Sequence, residues 1–188
     1  NWTRARITLR GKFMEDVKIR VATVDDAQDI LNIYRYYILN TAITFECSVP
    51  TVESFRKRVE RILEKYPYYV AICDKKIVGY TYAGAFSERE AYRFCAELSI
   101  YLDKKYKKRG IGKHLYQKLI GALKEKGIKN IYAKSAVPVE KEDEYLDFNS
   151  VNYHKHLGFK QVGKFTQCGY KFNRWYNIVV LEKVIREV

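Results

Sequence analysis

Between Arg93 and Leu123 the hydrophobic pattern changes period within a few residues. Arg93-Phe-Cys-Ala-Glu-Leu-Ser-Ile-Tyr-Leu102 is an apolar run rich in aromatic and branched residues, which predicts a strand. A basic bend follows from Asp103 to Arg109, and then Gly110-Ile111-Gly112. From there apolar residues recur four apart at Ile111, Leu115, Leu119 and Leu123, the spacing of one helix face. Lys126-Gly127 closes that helix and 128–137 reads as another strand. The change of period from strand to helix to strand predicts a βαβ crossover with parallel pairing.

The flanking segments follow the same rules. Residues 18–23 read as a first strand. Thr23 with Asp25-Asp26 opens a helix whose stripe is Ile30, Ile33, Tyr34 and Tyr37. Pro50-Thr51 caps a second helix, with Phe55, Val59 and Ile62 inward and Lys57, Glu60 and Arg61 outward, ended by Pro67. Strands 69–73 and 77–85 form a hairpin around Asp74-Lys75-Lys76. Residues 150–156 make a short helix ended by Gly158. The closing strands are 159–163 and 175–184, joined by a long connection over 163–174. Six or seven strands with about four helices make an α+β domain. No linker, repeat or low-complexity segment divides it.

Composition narrows the class. The hydrophobic fraction of 47% is that of a globular chain, and no apolar run approaches a membrane span. Residues 1–13 carry Arg4, Arg6, Arg10 and Lys12 without an acid, and Met14 is the only methionine. Met14 is therefore expected to be the native start, with 1–13 an added segment and 14–188 a single domain. Without that segment's four basic residues, +9 of the formal charge of +13 remains. A basic body fits a nucleic acid, an acidic membrane or a polyanionic cosubstrate, and charge alone does not choose. No zinc-finger spacing or RNA-binding aromatic-glycine signature occurs. Cys47, Cys73, Cys95 and Cys168 are scattered, which suggests reduced thiols and a cytoplasmic protein. His154 and His156, two apart, fall on different helix faces, so metal binding is not expected.

The chemistry concentrates in the central unit. A strand, a basic glycine turn and a helix start together make an anion site, because the first amides of a helix lack internal partners and point outward. Glycine lets a phosphate approach the main chain there. The Walker and dinucleotide glycine patterns are both absent. Glu97 is the one carboxylate in the apolar run, where loss of hydration would make it a better proton acceptor. It could equally stand on an exposed sheet face. Cys95 lies on the same strand face, but no histidine close in sequence would activate it.

Lys107-Lys-Arg-Gly110-Ile-Gly112 resembles the pyrophosphate signature of the GNAT N-acetyltransferases. The resemblance extends through Ile19-Arg-Val-Ala-Thr23, Thr44-Phe-Glu46, Gly79-Tyr-Thr-Tyr-Ala83, Arg89-Glu-Ala-Tyr92, Glu97-Leu-Ser-Ile-Tyr101, Leu157-Gly-Phe159 and Gly169-Tyr-Lys171. These segments look like the phosphinothricin and methionine sulfoximine acetyltransferase branch. The resemblance implies a mixed, strongly twisted sheet and an acetyl-CoA-dependent N-acetyltransferase for a small amino-acid-like amine. It implies no metal, nucleic acid or membrane partner, and a possible homodimer. It assigns Glu97 and His154 to catalysis. Lys107, Lys108, Arg109, Gly110, Ile111, Gly112 and Lys113 would hold the pyrophosphate, with the backbone of Ile100, Tyr101 and Leu102 along the pantetheine. Phe45, Arg89 and Tyr92 fall to the acceptor. The sequence departs from the branch at three places. Lys107 replaces Arg or Gln, Asp147 replaces an Asn near the cofactor (a role Asn149 could assume), and the acidic loop 140–147 is longer. A protein-terminus acetyltransferase, or a basic nucleic-acid-binding protein on the same fold, are the alternatives.

Overall fold

The computed structural model describes residues 17–185; the expected added segment 1–13 and the start at Met14 lie outside the described residues. The elements run β1 (Lys18–Val21), α1 (Ala27–Asn40), α2 (Val52–Leu63), β2 (Tyr68–Cys73), β3 (Lys76–Ala85), β4 (Cys95–Leu102), α3 (Ile111–Glu125), β5 (Asn130–Pro138), α4 (Asn149–His156), β6 (Lys160–Lys171) and β7 (Arg174–Val184). Seven strands form one sheet in the order β1-β2-β3-β4-β5-β7-β6. Every neighbouring pair is antiparallel except β4 with β5, the parallel pair that α3 crosses over to make. The expected α+β architecture and the strand–helix–strand unit are both present.

Local chemistry explains the boundaries. Strand β1 stops at Val21, two residues short of the expected end, because Thr23 already caps the turn that leads into α1. The Asp26 carboxylate accepts from the Thr23 amide at 2.7 Å and from both terminal nitrogens of Arg20 at 2.7 Å. That fork ties the strand to the helix start. Thr51 caps α2 by accepting from the Ser54 amide at 3.2 Å. The helix ends at Leu63, before Pro67, since the residue ahead of a proline is held out of the helical region.

Each sheet face has its own core. On one, Ile30, Leu31, Tyr34 and Phe55 from α1 and α2 pack against Tyr68, Val70 and Tyr80. On the other, Leu115, Leu119 and Leu123 of α3 are fully buried against Ala71, Val78, Leu98 and Ile131. Each of those leucines contributes about 1.5–3 kcal/mol on leaving water. The expected stripes are therefore the buried faces.

Two connections differ from expectation. The β2–β3 turn holds two residues, Asp74 and Lys75, both with positive φ, because Lys76 already pairs with Cys73. The long connection over 163–174 is not a loop. It is the outer part of β6, which turns into β7 at Phe172-Asn173, again with positive φ at both residues. Strand β6 lies at the sheet edge, is mostly exposed and has two register shifts against β7. An edge strand of that kind carries no clean alternation to read.

One feature of the sheet positions the chemistry. Strands β4 and β5 pair only from Cys95–Glu97 to Asn130–Tyr132. Beyond that β4 continues with β3 to Leu102, and β5 continues with β7 to Pro138. The two strands part like a wedge, and from Leu98 onward β4 has no strand neighbour on that side.

Candidate active site

The site begins where β4 hands over to α3. Gly110 is the N-cap of α3, in a left-handed conformation (φ 88°, ψ −12°) with no side-chain cap. A side-chain-bearing residue pays steric strain there. The Ile111 and Gly112 amides lie in the first turn, where no preceding carbonyl of the helix can reach them. A Cβ on Gly112 would lie 2.7 Å from the Tyr153 hydroxyl. That hydroxyl is buried without a hydrogen-bond partner. A bare helix start, a position closed to side chains and an unsatisfied buried donor meet at one point. This arrangement fits a phosphorylated ligand laid against the main chain.

Lys107, Lys108, Arg109 and Lys113 surround that turn as expected, all exposed. The Lys107 ammonium sits over the Tyr37 ring at 5.0 Å. Burial lowers its pKa, and the nearby Asp147 carboxylate opposes that shift. Asp147 thus acts as a counter-charge to Lys107, and it accepts hydrogen bonds from the main-chain and side-chain nitrogens of Asn149. Asn149 is exposed at the first position of α4.

Within the wedge, Leu98 to Tyr101 form one wall and Ala133 to Ala136 the other, with Tyr116, Ser150 and His154 beneath. His154 is buried, on the α3 side of the sheet. Its Nδ1 lies 2.7 Å from the Ser150 carbonyl oxygen. A carbonyl only accepts, so Nδ1 carries the proton and Nε2 is left as an acceptor. The Tyr116 hydroxyl, 2.9 Å away, donates to Nε2. Burial lowers the His154 pKa, partly offset by the Ser150 bond, and burial raises that of Tyr116 well above the phenolic value. The pair is therefore neutral at neutral pH. Ser135 and Ser150 hydroxyls, 3.0 Å apart, complete this side.

Glu97 projects from β4 on the opposite face, the side of Tyr101, Tyr34 and α1. Of the two settings the sequence left open, a buried run and an exposed sheet face, the structure gives Glu97 an intermediate one. Its side chain is 29% exposed, and Oε2 accepts from Lys134 Nζ of β5 at 2.8 Å. A strand residue facing the opened wedge keeps access to water, which the one-dimensional run does not reveal.

The remaining candidates lie around this face. Phe45 packs on the main chain of Gly169, where a Cβ would be 2.0 Å from its ring, and beside Tyr176 at 6.4 Å. Tyr92 touches Phe86 (5.3 Å), which touches Tyr132 of β5 (4.4 Å), the neighbour in register with Glu97. Arg89 stands exposed at the head of the Glu90–Tyr92 turn. Lys171 is buried and donates to the Thr44 carbonyl at 2.8 Å, fixing the loop that carries Phe45. Three residues escaped the sequence reading. Tyr116 looks like one more apolar residue beside the α3 stripe, Tyr153 like a helix aromatic, and Lys134 like a solvated strand lysine. Only the Tyr116–His154 spacing in space marks the first.

Cys47, Cys73, Cys95 and Cys168 are all unbridged. Among the described residues no three His, Cys, Asp or Glu side chains converge as metal ligands, and no helix is long and apolar enough to cross a membrane. A larger concavity of about 440 Å³ lies between α1 and the β2–β3 turn, lined by Tyr36 and four lysines among others, and meets the open edge of β4 at Leu102.

The chain is similar to known proteins along nearly its whole described length. The family profile described as Acetyltransferase (GNAT) domain matches residues 19–180. The chain is 28% identical to the phosphinothricin N-acetyltransferase of Streptomyces viridochromogenes, over 86% of this chain and 84% of that protein. It is 30% identical to the L-methionine sulfoximine/L-methionine sulfone acetyltransferase of Pseudomonas aeruginosa, over 87% and 92% respectively. Among solved structures, a phosphinothricin acetyltransferase of Sinorhizobium meliloti in complex with AcCoA superposes with a TM-score of 0.81 at 31% identity, covering 90% of this chain and 89% of that one.

Proposed function

This chain belongs to the GNAT acetyltransferase family, and on that premise we propose that it transfers acetyl from acetyl-CoA to the amine of a small amino-acid-like acceptor. The observation that carries the reading is the wedge itself. A carboxylate stands on one side of the sheet opening and a neutral histidine–tyrosine pair on the other, above an uncapped helix start.

Acetyl-CoA supplies an activated thioester, whose carbonyl carbon the acceptor nitrogen attacks directly as the C–S bond breaks. The first-turn amides of α3, with Lys107 to Lys113 around them, hold the diphosphate. The Tyr153 hydroxyl supplies a donor at the same place. The open edge of β4 at Ile100, Tyr101 and Leu102 takes the pantetheine arm as an added strand, with Asn149 beside it. Glu97, directly or through water, takes the proton that the acceptor ammonium must lose. A main-chain amide of β4 beside Glu97 supports the oxyanion. Rotation of the Tyr116 O–H from His154 toward the leaving sulfur stabilises the thiolate, which takes up the proton the nitrogen sheds on becoming the amide, so that coenzyme A leaves as the thiol. His154, held by Ser150, is the resting partner of the Tyr116 proton. Phe45, Arg89 and Tyr92 border the acceptor, with Arg89 available to a distal anion. The same reading expects a cytoplasmic protein, leaves a homodimer open, and gives metal, nucleic acid and membrane no part.

An acetyl-CoA consumption assay over an amine panel tests the reading. Turnover of phosphinothricin, methionine sulfoximine or a related amino acid supports it. Turnover of peptide termini alone replaces the acceptor class, and salt-dependent oligonucleotide binding without turnover rejects the enzyme.

A further inference from the structure

We propose that Lys134 selects acceptors that carry an anionic group next to the amine, and discriminates against amines that lack one. This rests on the reading of a small amino-acid-like acceptor given above. Lys134 and Glu97 sit on the two strands that have parted, Lys134 two residues beyond the last β4–β5 register pair. Their 2.8 Å ion pair therefore bridges the mouth of the wedge on the face where an acceptor must arrive. The other acid near this part of β5, Glu182, is engaged by the Tyr132 hydroxyl at 2.7 Å and the Asn130 amide nitrogen at 3.2 Å. Glu97 is thus the carboxylate that Lys134 answers to.

An ammonium group approaching Glu97 meets the charge of Lys134 already bound there. A simple amine has to displace it or accept like-charge repulsion. An α-amino acid carries its own carboxylate within two bonds of its ammonium. Its two charges can lie antiparallel to the Glu97–Lys134 pair, ammonium on Glu97 and carboxylate on Lys134, so both charge-assisted bonds survive the exchange. Lys134 is 43% exposed and its head is free to swing toward the incoming anion. Specificity then comes as much from the repulsion of wrong acceptors as from attraction of right ones. Arg89, on a separate exposed turn, is left for a more distant group.

The test is steady-state kinetics of the full chain with methionine sulfoximine and its methyl ester, in Lys134→Met and Lys134→Arg beside the parent. The parent should prefer the free acid. Lys134→Met should lose roughly ten- to hundredfold in kcat/KM for the free acid, chiefly through KM, the worth of one hydrogen bond to a charged group. For the ester it should gain several-fold, because Glu97 is relieved of its competitor. Lys134→Arg should restore the preference for the acid. An equal loss on both acceptors, or an undiminished preference in Lys134→Met, overturns the assignment while leaving the acceptor class standing. Acetyl-CoA binding with no turnover of either acceptor by the parent overturns the acceptor class and this proposal with it.

Discussion

The Tyr116 hydroxyl lies 2.9 Å from His154 Nε2, and both side chains are buried beneath the opening between β4 and β5. The contact fixes a neutral imidazole in one tautomer, since Nδ1 is committed to the Ser150 carbonyl. Because burial lowers the His154 pKa from 6.5, the unfolded chain binds a proton there more readily than the folded one. The stability this residue lends is present above about pH 6.5 and is lost as the pH falls below it. The other two histidines, His114 and His156, are exposed. The urea midpoint should therefore drop between about pH 7.5 and about pH 5.5, and His154→Gln should flatten that drop. An equal slope in the variant would remove His154 as its source.

Glu97→Gln keeps the shape of the side chain and deletes the proton acceptor. The rate near neutral pH should fall by roughly a hundredfold or more, with acetyl-CoA affinity retained. A rate within a few-fold of the parent takes Glu97 out of proton transfer.

Gly169→Ala places a methyl group where the Phe45 ring now lies, 2.0 Å from the nearest ring carbon. The ring must move, at a cost of about 1–3 kcal/mol for overpacking. Thermal unfolding should register that loss. The KM for the amine should rise while that for acetyl-CoA stays put, because Phe45 borders the acceptor face. A variant with parental stability and parental amine KM would show that the ring has an easy alternative position.

Asp143 answers the question the acidic loop posed. One carboxylate oxygen accepts from the Tyr145 and Leu146 amides at 2.8 and 2.9 Å, and the other from the Tyr176 hydroxyl at 3.1 Å and from Arg174. The loop is thereby knotted to β7, and Tyr145 stacks on Phe172 at 4.2 Å. Asp143→Ala leaves partly buried donors without an acceptor and should cost about 1–3 kcal/mol. Limited proteolysis should then cut within 140–147 before the rest of the chain. Resistance equal to the parent's would mean that the loop is held by other contacts.

The extent to which the chain could be read in advance follows from what kind of signal each feature leaves. The α3 stripe Ile111, Leu115, Leu119 and Leu123 and the glycine turn before it are local periodic signals, and the structure repeats them closely. The outer part of strand β6, beyond the expected 159–163, left none, because an exposed edge with register shifts needs no alternation. Glu97 was legible as a residue but not in its setting, since its access to water comes from the parting of strands far from it in sequence. Tyr116 and Lys134 were invisible for the same reason. Their significance lies in partners 38 residues away along the chain for Tyr116 and across the parallel strand for Lys134. The acidic loop 140–147 was legible as a departure in length, but not that Asp143 is spent on its own loop and on Tyr176 and Arg174 of β7.

In the proposed complex a diphosphate rests on the first turn of α3 and its pantetheine arm runs along the free edge of β4. A crystal structure of this protein grown with coenzyme A tests this placement most directly. Phosphate oxygens should lie about 2.7–3.2 Å from the Ile111 and Gly112 amides, with the arm beside Ile100 to Leu102 and the sulfur in the wedge near Tyr116. Coenzyme seated in the lysine-lined concavity by α1 and the β2–β3 turn, or a wedge left without it at saturating coenzyme, would contradict the account.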